Sequence, residues 1–179
     1  MRIISGNHRG KKIIAPDNLS VRPTTDFAKE SLFNILNNYF YFDAVSVLDL
    51  FAGTGNISYE FAARNAMEII AVDTNPLCVG FINKTAQLLA FDKLKALKID
   101  ALSFLDRCKQ QFNIIFADPP YYWQGHKNIP ELVFEKKLLL TDGFLVIEHD
   151  NQIDFQNHPK FYQQRMYGKV NFSIFAENL

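Results

Sequence analysis

The stretch Val45-Ser46-Val47-Leu48-Asp49-Leu50-Phe51-Ala52-Gly53-Thr54-Gly55 decides how the rest of the chain is read. Its first six residues form a mostly apolar run of strand length, the run stops at a glycine turn, and a helical stretch follows through Ala63. The same unit recurs downstream. Ile69 to Asp73 reads as a second buried strand and Pro76 to Leu89 as a helix, while Ala96 to Ile99, Phe112 to Ala117 and Phe144 to Glu148 read as three more strands. Strands that alternate with helices pair in parallel through right-handed crossovers, so an α/β, Rossmann-like, doubly wound and mostly parallel sheet is expected. The ending differs: Lys160 to Gln164 and Val170 to Phe175, split by Tyr167-Gly168-Lys169, read as an antiparallel hairpin at the sheet edge.

Upstream, Ala28, Leu32, Ile35, Leu36 and Tyr39 recur at the spacing of one helical face, after Arg22-Pro23-Thr24-Thr25. Thr25 can cap that helix, with Asp26 and Glu30 placing negative charge near its positive end. Before it, Ile3-Ile4 and Ile13-Ile14 flank the turn-rich Ser5-Gly6-Asn7-His8-Arg9-Gly10, which suggests a β-hairpin with a cationic tip. The expected division is therefore a basic hairpin extension over 1–25 and one larger domain over 26–179. Arg2, Arg9, Lys11, Lys12 and Arg22 are its candidate RNA-binding residues. A solvated edge hairpin whose charges discourage aggregation explains the same residues equally well.

Composition narrows the field. In 179 residues, of which 48% are hydrophobic, there is room for one sizeable core. Nineteen bases balance nineteen acids, so any grip on nucleic acid must be local. The longest apolar runs, such as Ile69 to Val72, have four residues against the roughly 20 that span a bilayer, which excludes a membrane helix. No secretory h-region follows Met1-Arg2, and a cytoplasmic protein is expected. Cys78 and Cys108 lack neighbours at metal-ligand spacing; both are expected to be buried as small hydrophobes, and no metal is expected.

Ligands bind at the carboxyl ends of strands in this architecture, which is where Asp49 to Gly55 falls. Asp49, Phe51, Gly53 and Gly55 are its candidate cofactor-binding residues. Asp73 ends the next strand 18 residues after Gly55, close to the spacing of roughly 20 at which a carboxylate takes ribose hydroxyls. A dinucleotide loop would carry a third glycine where Ser58 stands, and Asp49 would repel its phosphates. A phosphate-free, positively charged nucleoside such as S-adenosylmethionine suits this loop better. The plainer alternative for the glycine pair is an ordinary strand-to-helix turn. Asp100, after the third strand, can hydrogen-bond an adenine amino group or simply cap a helix.

Asp118-Pro119-Pro120-Tyr121 follows the fourth strand and so reaches the same sheet edge. Two prolines fix φ near −65° and remove two consecutive N–H donors, leaving a rigid turn that offers only acceptors. An acceptor-only cradle fits an exocyclic amine, whose lone pair is delocalised into its ring. A carboxylate and the Pro119 carbonyl taking its two protons favour a pyramidal nitrogen aimed at a sulfonium methyl. Tyr121 can stack on the extracted base. The competing explanation is a proline-stiffened loop with a capping Asp; Tyr122 and Trp123 can belong to either the site or the core.

These segments carry a resemblance. DLFAGTG at 49–55 and FNIIFADPPY at 112–121 are similar to the cofactor and catalytic motifs of class I amino-methyltransferases. RIISGNHRGKKI at 2–13, RPTTDFAKESLFNIL at 22–36, Glu60, Asn83 and Glu148 narrow this to the RsmD family of bacterial small-subunit (16S) rRNA guanine-N2 methyltransferases, which the chain resembles over nearly its whole length. The resemblance implies a class I S-adenosyl-L-methionine-dependent fold, S-adenosyl-L-methionine as methyl donor, and catalytic roles for Asp118, Pro119, Pro120 and Tyr121. It also implies one guanine of small-subunit rRNA as acceptor, in free RNA or a partly assembled 30S subunit. Asn113 and Asn65 depart from the family's usual Asp and Gly. Competing readings are a DNA or RNA adenine-N6 methyltransferase, which shares the DPPY segment, a catalytically idle rRNA-binding assembly factor, and a nicotinamide-dependent oxidoreductase. A DNA enzyme would need a target-recognition domain for which little chain remains.

Overall fold

The computed structural model describes residues 1–16, 19 and 25–177. One seven-stranded sheet, ordered β3-β2-β1-β4-β5-β7-β6, organises the chain. Its strands are β1 (Ser46–Leu50), β2 (Glu68–Asp73), β3 (Leu94–Lys98), β4 (Phe112–Ala117), β5 (Leu139–His149), β6 (Phe161–Tyr167) and β7 (Val170–Ala176). The first five pair in parallel, and β7 runs antiparallel to both β5 and β6. The helices are α1 (Asp26–Leu36), α2 (Asn56–Ala63), α3 (Pro76–Leu88), α4 (Ala101–Arg107) and α5 (Asn128–Glu135).

Side chains alternate across a strand, so a sheet covered on both faces needs apolar residues at both parities. Val47, Ile69, Ala71, Ile114 and Phe116 pack with α1, α2 and α3, whereas Leu48, Leu50, Val72, Ile115 and Ala117 pack with α4 and α5. This is why the decisive stretch reads as a nearly continuous apolar run. Burying each of the larger side chains among these contributes about 1.5–3 kcal/mol.

Several expectations are refined. Helix α1 starts where Thr25 caps it, its hydroxyl accepting from the Ala28 amide at 3.2 Å, but it stops at Leu36. Tyr39, expected on the apolar face, lies beyond the helix and is half exposed. Phe33 and Lys29 join the buried face instead. Strand β5 starts earlier than expected because a register shift after Phe112 lets Leu139 pair there as well. Helix α5 had no counterpart in the sequence reading; its Pro130 sits in the first turn, where no intrahelical N–H is required. Cys78 is buried, but Cys108 is only half-buried, beside the Gln110 carbonyl at the end of α4.

The N-terminal arm pairs through a single bridge, Arg2 with Lys12, supported by Ile3 N–H to the Lys11 carbonyl and Ile13 N–H to the Met1 carbonyl, both 3.0 Å. Ile3 and Ile13 enter the core; Ile14 is 86% exposed. The turn does not stand free as a cationic tip. The Asn7 amide donates to the Ala63 carbonyl at 2.7 Å, and a Cβ on Gly6 would lie 2.0 Å from that oxygen, so the close approach demands glycine. Asn65 has φ 65° and accepts from the Asn7 side chain at 2.8 Å; asparagine is a residue that tolerates this backbone region.

Beneath the arm lies a buried charge cluster. The Glu60 carboxylate, fully buried, accepts the Ile4 and Ser5 amides at 3.0 Å each and pairs with Arg64 and, at 3.3 Å, with Lys29. Lys29, 1% exposed, donates to the Arg2 carbonyl at 2.6 Å and to the Asn56 side chain at 2.8 Å. Loss of solvent lowers the Lys29 pKa, with the Glu60 charge opposing that shift. Because removing one member of a buried pair strands the other, Lys29→Met is expected to lower stability by about 3–5 kcal/mol. Urea unfolding checks this: in a Lys29→Met/Glu60→Gln double variant the loss should fall well short of the sum of the two single losses.

Candidate active site

Strands β1 and β4 are neighbours, and their parallel pairing runs to Leu50 opposite Ala117. Two loops therefore leave the sheet at one edge: the glycine turn after β1 and the diproline loop after β4. The Asp118 amide donates to the Leu50 carbonyl at 3.4 Å, tying the second loop to the root of the first. Asn113 holds the other end of the strand pair, its side-chain oxygen accepting from the Ser46 amide at 2.9 Å.

The glycine turn is built by left-handed residues. Phe51 (φ 60°), Gly53 (φ 54°) and Gly55 (φ 83°) all occupy that region, which a bulky residue such as Phe51 adopts only at a cost. The turn is held from β2: the Ala52 amide donates to the Val72 carbonyl at 3.0 Å and the Gly53 amide to Asp73 Oδ2 at 2.8 Å. Asp73 Oδ1 accepts from the Asn75 amide at 2.8 Å. A carboxylate has about four acceptor sites, so these two contacts fix Asp73 without exhausting it.

Asp49 lies behind the turn, 1% exposed, and accepts from the Ser58 hydroxyl. Removal from water pushes its carboxyl up to about 7, against the Ser58 hydrogen bonds and with the Asp73 charge adding to the rise. Ser58, where a dinucleotide fingerprint would place glycine, thus serves Asp49. Asp100 Oδ1 accepts from the Ser103 amide at 2.9 Å and caps α4, which realises the plainer of its two readings while leaving its second oxygen available to another donor.

In the diproline loop Pro119 is buried, Pro120 is exposed, and the Trp123 amide donates to the Pro120 carbonyl at 2.8 Å to close the turn. Asp118 is half-buried and Tyr121 is 39% exposed. Tyr122 is 88% exposed, whereas Trp123 packs inward, edge-on to Phe51 with ring centroids 4.9 Å apart. A Cβ on Gly125 would lie 2.5 Å from the indole, so only glycine lets Trp123 fold under its own loop. The Phe51–Trp123 contact joins the two loops, and no sequence spacing announces it. On the other side of Trp123 stands the buried His126, at 5.6 Å, whose pKa burial lowers.

The remaining candidates divide. Arg9, Lys11 and Lys12 are exposed on the arm, but Arg2 is engaged with Asp26 at 3.1 Å. Arg22 lies outside the described residues. Asn83 clamps α3 to β3 through both polar atoms of its side chain on the Ala96 backbone, at 2.9 and 3.1 Å. Glu148 is buried near the carboxyl end of β5. Among the described residues, no group of His, Cys, Asp and Glu is arranged to hold a metal, and no helix is long and apolar enough to cross a membrane.

This strand order, with a glycine turn at β1 and an antiparallel β7, is that of the Rossmann-like S-adenosylmethionine-dependent methyltransferases. The chain belongs to the family described as Conserved hypothetical protein 95, whose model matches residues 1–176. It is 36% identical over 158 residues to YlbH of Bacillus subtilis, described provisionally as an rRNA methyltransferase, with 86% of this chain and 85% of that protein covered. It is 27% identical to the ribosomal RNA small subunit methyltransferase D of Escherichia coli, covering 98% of this chain and 89% of that one. Relatives of that name bear out the RsmD resemblance carried by the motifs. A solved Escherichia coli structure, yhhF, described provisionally as a methyltransferase, superposes with a TM-score of 0.86 at 25% identity over 98% of this chain and 96% of that one. An RNA methyltransferase of Salinibacter ruber, solved with S-adenosyl-L-homocysteine, superposes with a TM-score of 0.69 at 12% identity, covering 88% and 96%.

The Asp49 environment makes a prediction about stability. A carboxyl whose pKa rises on folding, from 3.8 to about 7, takes up protons as the chain folds, so its contribution is most favourable at low pH and is lost as pH climbs through that window. Asn at this position keeps the acceptor for Ser58 and cannot ionise. The difference in Tm between Asp49→Asn and the native chain, followed by calorimetry, is expected to shift in favour of the variant from about pH 4 to about pH 7; a pH-independent difference would contradict the assignment.

Proposed function

We propose that this chain transfers a methyl group from S-adenosyl-L-methionine to the exocyclic N2 of a guanine in small-subunit rRNA. The observation that carries the reading is the meeting of the glycine turn and the Asp118-Pro119-Pro120-Tyr121 loop at adjacent strand ends, Leu50 beside Ala117. Methyltransferase chemistry on rRNA is what the family's named relatives share, and the guanine-N2 detail follows from the motif resemblance.

The cofactor fits the charges present. Asp73 and Asp100 stand at one sheet edge with the buried Asp49 behind them, and residues 49–56 contain no lysine or arginine, an arrangement that suits a cationic nucleoside and opposes a pyrophosphate. Asp73 would take the ribose hydroxyls, Asp100 the adenine amine, and Phe51 with the Gly53 and Gly55 backbone would pack against the nucleoside. Held there, the cofactor would supply an electrophilic methyl to the N2 nitrogen, the C–S bonding pair staying with sulfur and one N2 proton going to solvent.

The protein's part is positioning and electrostatics. Asp118 and the Pro119 carbonyl accept the two amine protons and turn the nitrogen lone pair toward the cleft. Pro120 keeps that turn rigid, and Trp123, anchored on Phe51, holds the loop against the glycine turn. Tyr121, partly exposed, is placed to stack on a base taken out of its helix. The exposed Arg9, Lys11 and Lys12 of the arm meet RNA phosphates. Arg2, tied to Asp26, contributes less than its charge suggests.

Single-turnover transfer of labelled methyl to small-subunit rRNA, with nucleoside analysis of the product, tests the reading. Asp118→Ala is expected to slow transfer by about 10²-fold or more while cofactor affinity stays near native. Tyr121→Ala should cost about 1–3 kcal/mol of base stacking and Tyr121→Phe much less. A product other than N2-methylguanine would replace the acceptor assignment, and full activity in Asp118→Ala would remove the residue role.

A further inference from the structure

A groove of about 800 Å³ runs between the N-terminal arm and α3, the helix that follows Asp73. Lys11, Lys12 and Ile14 line it from the arm, and Phe81, Lys84 and Leu88 line it from the helix. Among the described residues three lysines and no acid line this groove, in a chain of nineteen bases and nineteen acids. Its apolar members are unusually wet: Ile14 is 86%, Leu88 74% and the adjoining Leu77 56% exposed. Large apolar side chains gathered in one exposed patch mark a surface that meets a partner.

We propose that this groove holds an unpaired stretch of the RNA substrate, with phosphates on Lys11, Lys12 and Lys84 and bases against Phe81, Ile14 and Leu88. The proposal rests on the reading that RNA is the substrate, and it assigns to α3 a binding role that the basic arm alone does not have. A duplex would present backbone and leave the apolar floor idle, whereas a single strand offers phosphates and base faces together. Lysine, a compact charge on a long flexible stem, suits a phosphate whose position varies. A purely apolar protein segment would cover Ile14, Leu77 and Leu88 but leave three ammonium groups without counter-charge. Continuity favours RNA too, since Lys11 and Lys12 belong both to the groove and to the arm's exposed basic face.

The test uses the full chain saturated with S-adenosyl-L-homocysteine and a fluorescein-labelled fragment of small-subunit rRNA, its affinity read by anisotropy across a salt series. Lys84→Glu is expected to weaken binding about tenfold or more and to reduce the slope of log affinity against log salt by about 0.7–0.9 for the lost contact. Lys109→Glu, an exposed lysine outside the groove, should stay within about twofold of native, and neither variant should change S-adenosyl-L-homocysteine affinity. Leu88→Lys trades a base contact for a phosphate contact, so RNA binding should persist with a steeper salt slope, whereas an apolar protein partner would be lost. Native affinity and slope in Lys84→Glu, or equal losses in Lys84→Glu and Lys109→Glu, would overturn the groove while leaving the proposed reaction standing. A native chain that binds no rRNA would overturn both.

Discussion

Strand β1 lies between β2 and β4, and the whole site depends on that placement. Connections from β1 to β2 to β3 proceed toward one edge of the sheet; the chain then returns past β1 to place β4 on its other side. Where the order reverses, connections part and a crevice opens at the carboxyl ends. The pairing of Leu50 with Ala117 brings two chemically different loops to that crevice, one rich in left-handed backbone and carboxylates, the other stripped of N–H donors by two prolines.

Both loops are held from outside themselves. Asp73 and the Val72 carbonyl fix the glycine turn from β2, while Phe51 and Trp123 lock it to the diproline loop. Behind it, Lys29 reaches Asn56 at the start of α2 and the Arg2 carbonyl of the arm. Glu60 gathers the arm's Ile4 and Ser5 amides into the same cluster. Because each buried charge here is satisfied by its neighbours, the arm, α1 and the turn must be placed together. A segment with little secondary structure of its own thereby becomes part of the frame around the cleft.

Much of this was legible because strand periodicity and motif position report topology directly. The apolar run at 45–50, Asp73 after the second strand and DPPY after the fourth could be assigned to one sheet edge without coordinates. Contacts made by packing were not legible. Trp123 could equally have been core or site, and what settles it is a glycine two residues on whose missing Cβ admits the indole. Lys29 shares a helical face with Leu32, Phe33 and Leu36, but that spacing does not reveal its partners, Glu60 and Asn56, which come from another helix and let it be almost wholly buried. Helix α5 was masked by Pro130, which normally argues against a helix and is harmless only in the first turn. The arm's isoleucine pairs suggested two regular strands, whereas a docked turn and one bridge satisfy most of its backbone.

In the proposed reaction the two loops form one cleft that methylates the amino group of a guanine in small-subunit rRNA. The most direct measurement is mass spectrometry of modified nucleosides, mapped along small-subunit rRNA from cells with and without this gene. One N2-methylguanine should be lost from the deletion strain and restored by the native gene but not by one encoding Asp118→Ala. An unchanged set of N2-methylguanines in the deletion strain would contradict it.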